Sequence, residues 1–176
     1  MRIDRVWAMP NKWTFLIKPI AKLLKEEMDG YNWIDPFAGK HSPASITNDI
    51  NPEILADEHK DAIEFLKMFD DNEAYGVLFD PPYSVRQVSE CYKKYGYSVT
   101  METTQSKWYA DIRDEISRVC SNKVISCGWN STGIGKTRGF EITRILLVPH
   151  GGPHNDTIVT VETKDSLQVS RSASKN

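Results

Sequence analysis

The sequence predicts an α/β fold: an open, largely parallel sheet with helices on both faces, a shortened first crossover and an antiparallel strand pair at the carboxyl end. Three observations carry that reading. Short apolar runs at Asn32–Ile34, Ser45–Thr47 and Val77–Phe79 each lead into an acid or a glycine turn. Amphipathic stretches at helical spacing lie between and after them. The chain then closes on two alternating runs, Phe140–Val148 and Thr157–Glu162, divided by the turn-like Gly151-Gly152-Pro153.

Each element follows from its residues. Pro19 suits the first position of a helix, Ile20, Leu23, Leu24 and Met28 repeat along one face, and Gly30 ends it. Asn32–Ile34 reads as a buried strand feeding the turn Asp35-Pro36-Phe37-Ala38-Gly39. Only six residues separate Gly39 from Ile46. A parallel crossover usually needs about a dozen, so the first crossover helix is expected to shrink to a turn at Ser42-Pro43-Ala44. Asn51-Pro52-Glu53 is expected to open a helix running to Lys60. Val85, Val88, Tyr92 and Tyr95 mark one further helix, and Trp108, Ile112, Ile116 and Val119 another, before a strand at Val124–Cys127.

A chain of 176 residues with 40% hydrophobic and 26% charged residues has the makings of one packed domain, expected over residues 1–165, with Ser166–Asn176 as a disordered tail. No apolar run reaches the roughly 18 residues of a membrane span. The opening Met1-Arg2-Ile3-Asp4-Arg5 has no apolar stretch behind its charges, so no secretory signal is expected. Cys91, Cys120 and Cys127 cannot all pair and lack metal-ligand spacing, which fits reduced thiols in a cytoplasmic protein without a metal or a membrane partner. The net charge of −2 conceals an asymmetry: residues 1–25 carry six Lys/Arg against one acid, while residues 49–80 carry ten acids against two lysines. A local basic face therefore remains open despite the overall sign.

In an open parallel sheet, ligands sit beyond the carboxyl ends of the strands, where Asp35, Asp49 and Asp80 fall. An acid after the second strand is placed to accept the two hydroxyls of a ribose, and a glycine after the first lets backbone approach a ligand closely. Together they point to a nucleoside-bearing cofactor; the alternative for Asp49 is a helix cap at Pro52. Phe79-Asp80-Pro81-Pro82-Tyr83 is more specific. Two prolines fix the backbone, so that the Pro81 carbonyl and the Asp80 carboxylate can accept the two hydrogens of an exocyclic amine. Tyr83 would stack on the ring that bears it. The plainer alternative is a proline turn with a capping Asp and a packed Tyr.

At these residues the sequence resembles the adenine-N6 DNA methyltransferases of the Asp-Pro-Pro-Tyr type. Their first motif is matched by Asp35–Gly39, their catalytic motif by Asp80–Tyr83, and a flanking motif by Pro10–Ile20. The ending Pro149–Thr157 is similar to small methylases of phage and mobile elements. The resemblance covers residues 6–163. It implies a Rossmann-like methyltransferase sheet, S-adenosylmethionine as cofactor, and methyl transfer to the N6 amine of a flipped adenine in DNA. It further implies that Asp80, Pro81, Pro82 and Tyr83 are catalytic. Asp35, Phe37, Ala38 and Gly39 would line the methionine end of the cofactor. Asp49 would bind the ribose, Ile50 pack on its adenine, Asp61 accept from the adenine amine, and Phe15 and Lys18 cover the methionine carboxylate.

Two departures stand out. The second glycine of the first motif is His41. The chain also has no room for the separate target-recognition region of larger relatives, which leaves short loops, a second copy or a partner subunit as the source of specificity. The same chemistry on RNA, and a non-catalytic subunit that activates a partner methyltransferase, are the competing readings. Gly133-Ile134-Gly135-Lys136-Thr137 looks like part of a phosphate loop, but Asn130 stands where the leading glycine belongs and a strand follows. It reads instead as a substrate-facing loop whose Lys136 and Arg138 are placed to meet phosphates. His150, His154 and Asp156 read as part of a glycine-rich hairpin rather than as a metal site.

Overall fold

The structure, a computed structural model, describes residues 1–99 and 106–165. The elements in chain order are β1 (Arg2–Arg5), α1 (Lys18–Glu27), β2 (Trp33–Asp35), β3 (Ile46–Thr47), α2 (Ala62–Leu66), β4 (Ala74–Phe79), α3 (Val85–Lys94), α4 (Ser106–Val119), β5 (Cys120–Gly128), β6 (Phe140–Val148) and β7 (Thr157–Lys164). Among the described residues the strands form one seven-stranded sheet in the order β1-β6-β7-β5-β4-β2-β3. Only β7 runs antiparallel to its neighbours. No helix among the described residues is long and apolar enough to cross a membrane. The tail expected at residues 166–176 lies outside the described residues.

Alternation along the strands creates two cores. On one face Ile34, Val77, Phe79 and Val124 meet α2, α3 and α4 through Phe65, Val88, Ile112 and Ile116. On the other, Trp33, Leu78, Ile125 and Val159 meet α1 through Ile20, Leu23 and Leu24. Burial of these side chains is the main driving force that assembles the layers. Trp33 lies flat over β4, where Gly76 makes room: a Cβ there would stand 2.6 Å from the indole ring.

The chain does cross from β2 to parallel β3 without a helix, through an irregular loop closed by Ser45 N–H donating to the Trp33 carbonyl at 2.8 Å. The helix expected from Pro52 to Lys60 is absent. Polar side chains take the amides a helix would have used. Asp57 accepts from Thr47 N and Oγ1, Asn51 accepts from Glu53 N, and buried Asn48 bonds both ways with Lys60 and donates to Pro36 O. A single parallel bridge, Asn48 to Glu58, ends the sheet on that side. At the opposite edge, β1 is a strand that apolar periodicity did not announce. It is held by register with β6 and by Arg144, whose buried guanidinium pairs with Asp4, Glu26 and Glu27.

Candidate active site

The carboxyl end of β4 delivers Asp80-Pro81-Pro82-Tyr83, and α3 begins directly after it. The turn is fixed from both sides. Ser84 caps α3 by accepting from Gln87 N, and Gln87 Oε1 accepts from Tyr83 N at 2.7 Å. From α4, the Tyr109 hydroxyl donates to the Pro82 carbonyl at 2.6 Å. The Pro81 carbonyl accepts from none of the described residues. The Tyr83 hydroxyl donates to Asp80 Oδ1, and Thr14 supplies a second hydroxyl beside the same carboxylate.

Asp80 and Tyr83 line a cleft of about 290 Å³, with Phe37, Asp49, Ile50 and Trp108 among its other walls. A smaller recess of about 170 Å³, walled by Trp13, Phe15, Ala38, Gly39 and His41, continues from it across shared residues Thr14, Phe37 and Asp80. Together the two adjoining spaces are within the range of small-molecule sites. Gly39 has a left-handed φ of 55°, and its amide donates to Asp49 Oδ2 while Asn51 N donates to Oδ1. An ionised carboxylate keeps about two further acceptor positions after those bonds. Asp49 therefore ties the glycine turn to the cleft floor and still presents acceptor capacity to a diol.

The electrostatics are set by desolvation. Asp35 is fully buried beneath the turn and accepts from Phe37 N and Ser42 Oγ. Burial pushes its carboxyl up to about 7, with the charges of Asp80 and Asp49 adding to the rise. Burial also raises Asp80, against the stabilising hydroxyls of Tyr83 and Thr14.

The sequence-derived candidates divide. Phe37, Asp49, Ile50, Asp80, Pro81, Pro82 and Tyr83 share the main cleft, and Phe15, Ala38 and Gly39 share the adjoining recess. Asp35 shapes the turn from below and lines neither cavity. Asp61 caps α2 through Ile63 N, accepts from the Tyr92 hydroxyl and does not line the cleft. Lys18 opens α1 on a different groove. Lys136 pairs with Glu141 and Arg138 with Asp114, and neither lines the cleft. The residues overlooked were Thr14, Gln87, Tyr92, Trp108 and Tyr109. Tyr92, Trp108 and Tyr109 carried the signal of core positions, because they also serve the helix faces packed on the sheet, and Thr14 and Gln87 carried none.

The glycine-rich loop has an internal partner. Ile134 N and Gly135 N donate to the buried carboxyl group of Glu162 at 2.7 and 3.0 Å, so the amides that resemble a phosphate cradle are already occupied. His150 is likewise structural, bonded to Ala8 O and Thr157 Oγ1. Among the described residues no cluster of three or more His, Cys, Asp or Glu could hold a metal.

No protein-family model matches the sequence, and no curated protein does. Solved structures do match the fold. TrmN from Thermus thermophilus superposes with a TM-score of 0.52 at 16% identity over 85% of this chain and 49% of that one. The magnesium protoporphyrin IX methyltransferase ChlM from Synechocystis PCC 6803, solved with bound SAM, gives a TM-score of 0.51 at 11% identity over 84% of this chain and 77% of that one. The chain thus spans about half the length of TrmN. The architecture is an α/β Rossmann-like methyltransferase fold.

Proposed function

We propose that the chain is an S-adenosylmethionine-dependent methyltransferase that acts on the exocyclic N6 amine of adenine in DNA. The observation that carries this reading is the pair of acceptors at the cleft wall: the Asp80 carboxylate, which keeps acceptor positions beyond its bonds to the Tyr83 and Thr14 hydroxyls, and the Pro81 carbonyl, fixed while Tyr109 occupies the neighbouring Pro82 carbonyl. Two acceptors held beside an aromatic face match an amine with two hydrogens on a planar ring. A fold alone does not choose a substrate, and one of the similar structures is a porphyrin enzyme, so this local chemistry is what favours adenine.

The cleft fits the cofactor. Asp49 offers acceptors to a ribose, Ile50 and Trp108 offer apolar faces to a purine, and the recess at Ala38–Gly39 offers close backbone approach to an amino-acid chain. When bound, S-adenosylmethionine supplies an electrophilic methyl group on a sulfonium cation, and the acids Asp49 and Asp80 line the cleft that would receive it. Asp80 and Pro81 would hold the target amine so that its lone pair stays free and directed, and Tyr83 would cover the base. Extruding a paired base costs a few kcal/mol, of which aromatic stacking returns about 1–3. Most acceleration is then alignment. The excess of basic residues over residues 1–25 supports a polyanionic substrate, since Lys12 borders the recess beside Asp80.

The test uses cofactor labelled in its methyl group, incubated with unmethylated DNA and RNA separately, followed by digestion and mass spectrometry of the nucleosides. Label on adenine N6 in DNA is expected. Label only in RNA would replace the substrate and keep the chemistry, and no label with bound cofactor would favour a subunit that needs a partner.

A further inference from the structure

Behind the Pro81-Pro82-Tyr83 wall, on the side away from the main cleft, lies a second cavity of about 60 Å³. Its walls include Tyr83, Tyr109, Arg113, Ser126 and Trp129, so Tyr83 is shared between the two spaces. Three features of this cavity are unexplained by packing. Arg113, half-buried on α4, makes no hydrogen bond or ion pair with any described residue, and its Nε is buried without a partner. The hydroxyl of Ser126, a residue 7% exposed, is also buried and unpartnered. Trp129 stands 41% exposed at the mouth, edge-on to Tyr83 at 5.6 Å.

Unsatisfied buried donors are costly and call for an explanation. Nearby carboxylates do not supply one. Asp114 is taken by Arg138, and Glu162, which bonds Ile134 N and Gly135 N, acts on Arg113 only through space and accepts no hydrogen bond from it. Burial and the neighbouring Arg138 pull Arg113 below its ordinary pKa, a strain that an incoming anion relieves. No carboxylate among the described residues lines the cavity. A planar guanidinium with several free N–H groups, next to a free hydroxyl, is a donor set for an oxyanion. The space is too small for a nucleobase yet admits a tetrahedral group.

We propose that this cavity binds a phosphodiester of the target strand, flanking the nucleotide that stacks on Tyr83, with Arg113 as its cation. This assignment deepens the nucleic-acid reading above and rests on it. It moves the phosphate contact from Lys136 and Arg138, which are paired with carboxylates, to a residue that sequence position alone did not mark.

The experiment measures binding of a fluorescein-labelled single-stranded DNA 20-mer by anisotropy across a KCl series, independently of catalysis. Each phosphate contact contributes about 0.7 to the slope of log affinity against log salt for single strands. Arg113→Gln and Arg113→Met, either of which suffices if the other fails to fold, should flatten the slope by about 0.7. Arg113→Lys should retain it, as should Arg86→Gln, which removes an exposed cation paired with Glu90. A wild-type slope in Arg113→Gln or Arg113→Met, or weakened binding without a change of slope, would overturn the phosphate assignment and leave the nucleic-acid reading standing. A wild-type protein that binds no strand at any salt would overturn both.

Discussion

The Tyr83 hydroxyl donates to Oδ1 of Asp80, three residues earlier in the same turn. The bond joins the acceptor of the proposed amine to the aromatic face of the proposed base. It also stabilises the ionised carboxylate that burial otherwise disfavours. Asp80 accepts from an amine best when ionised, so activity should rise with pH through its elevated pKa. Tyr83→Phe keeps the stacking face and loses the donor. It should stay active on the alkaline plateau, with its acid limb displaced to higher pH in a kcat/KM profile. An inactive Phe variant, or an unmoved limb, contradicts this role.

Asp35 makes a separate prediction about stability. Its folded carboxyl titrates at about 7 against an ordinary 3.8, so the folded chain holds this proton more tightly than the unfolded one. Stability should therefore fall as pH rises from about 4 to 7, then level off. Asp80 adds a contribution of the same sign. Asp35→Asn should reduce the drop in Tm between pH 5 and pH 8 without abolishing it. An equal drop in the two proteins counts against a buried, protonated Asp35.

Tyr109 positions the Pro82 carbonyl by a single hydrogen bond. A bond of that kind contributes about 1 kcal/mol, so Tyr109→Phe should lower kcat by roughly fivefold to tenfold while cofactor KM stays unchanged. Steady-state kinetics separates this from general loosening, which would raise cofactor KM as well.

The Glu162 carboxylate organises the loop at residues 133–135. A Cβ on Gly133, where φ is +57°, would stand 2.3 Å from Glu162 Oε2. Gly133→Ala should therefore destabilise the fold by more than Glu162→Gln, which keeps one acceptor and loses about 1–3 kcal/mol. Urea midpoints of the two variants test the order, and a wild-type midpoint for Gly133→Ala would show that the loop is not gripped in this way.

What could be read from the sequence was what local chemistry writes. Apolar Val77–Phe79 followed by Asp80 and two prolines announces a strand and a fixed turn, and Asn32–Ile34 before Asp35–Gly39 announces another. The two final strands were legible from alternation; Phe140–Val148 has the bounds that periodicity assigned. What escaped depends on partners far along the chain. β1 alternates charged residues and is secured by Arg144, 140 positions from Asp4. Residues 52–60 look helical until Asn48 claims the Lys60 backbone from outside the segment and Asp57 turns its carboxylate to Thr47. Tyr109 and Arg113 read as polar positions on an amphipathic helix, and only the packing of α4 on the sheet brings them to the Pro82 turn.

The central claim is that Asp80 and Pro81 hold the accepting amine and do not hold the cofactor. The most direct measurement compares the wild type with Asp80→Ala in two readouts: calorimetric binding of S-adenosylmethionine and transfer of its labelled methyl group to DNA. Equal cofactor affinity, with label on adenine N6 in the wild type and none in the variant, is the predicted result. Undiminished transfer by Asp80→Ala, or label at any other atom in the wild type, would contradict it.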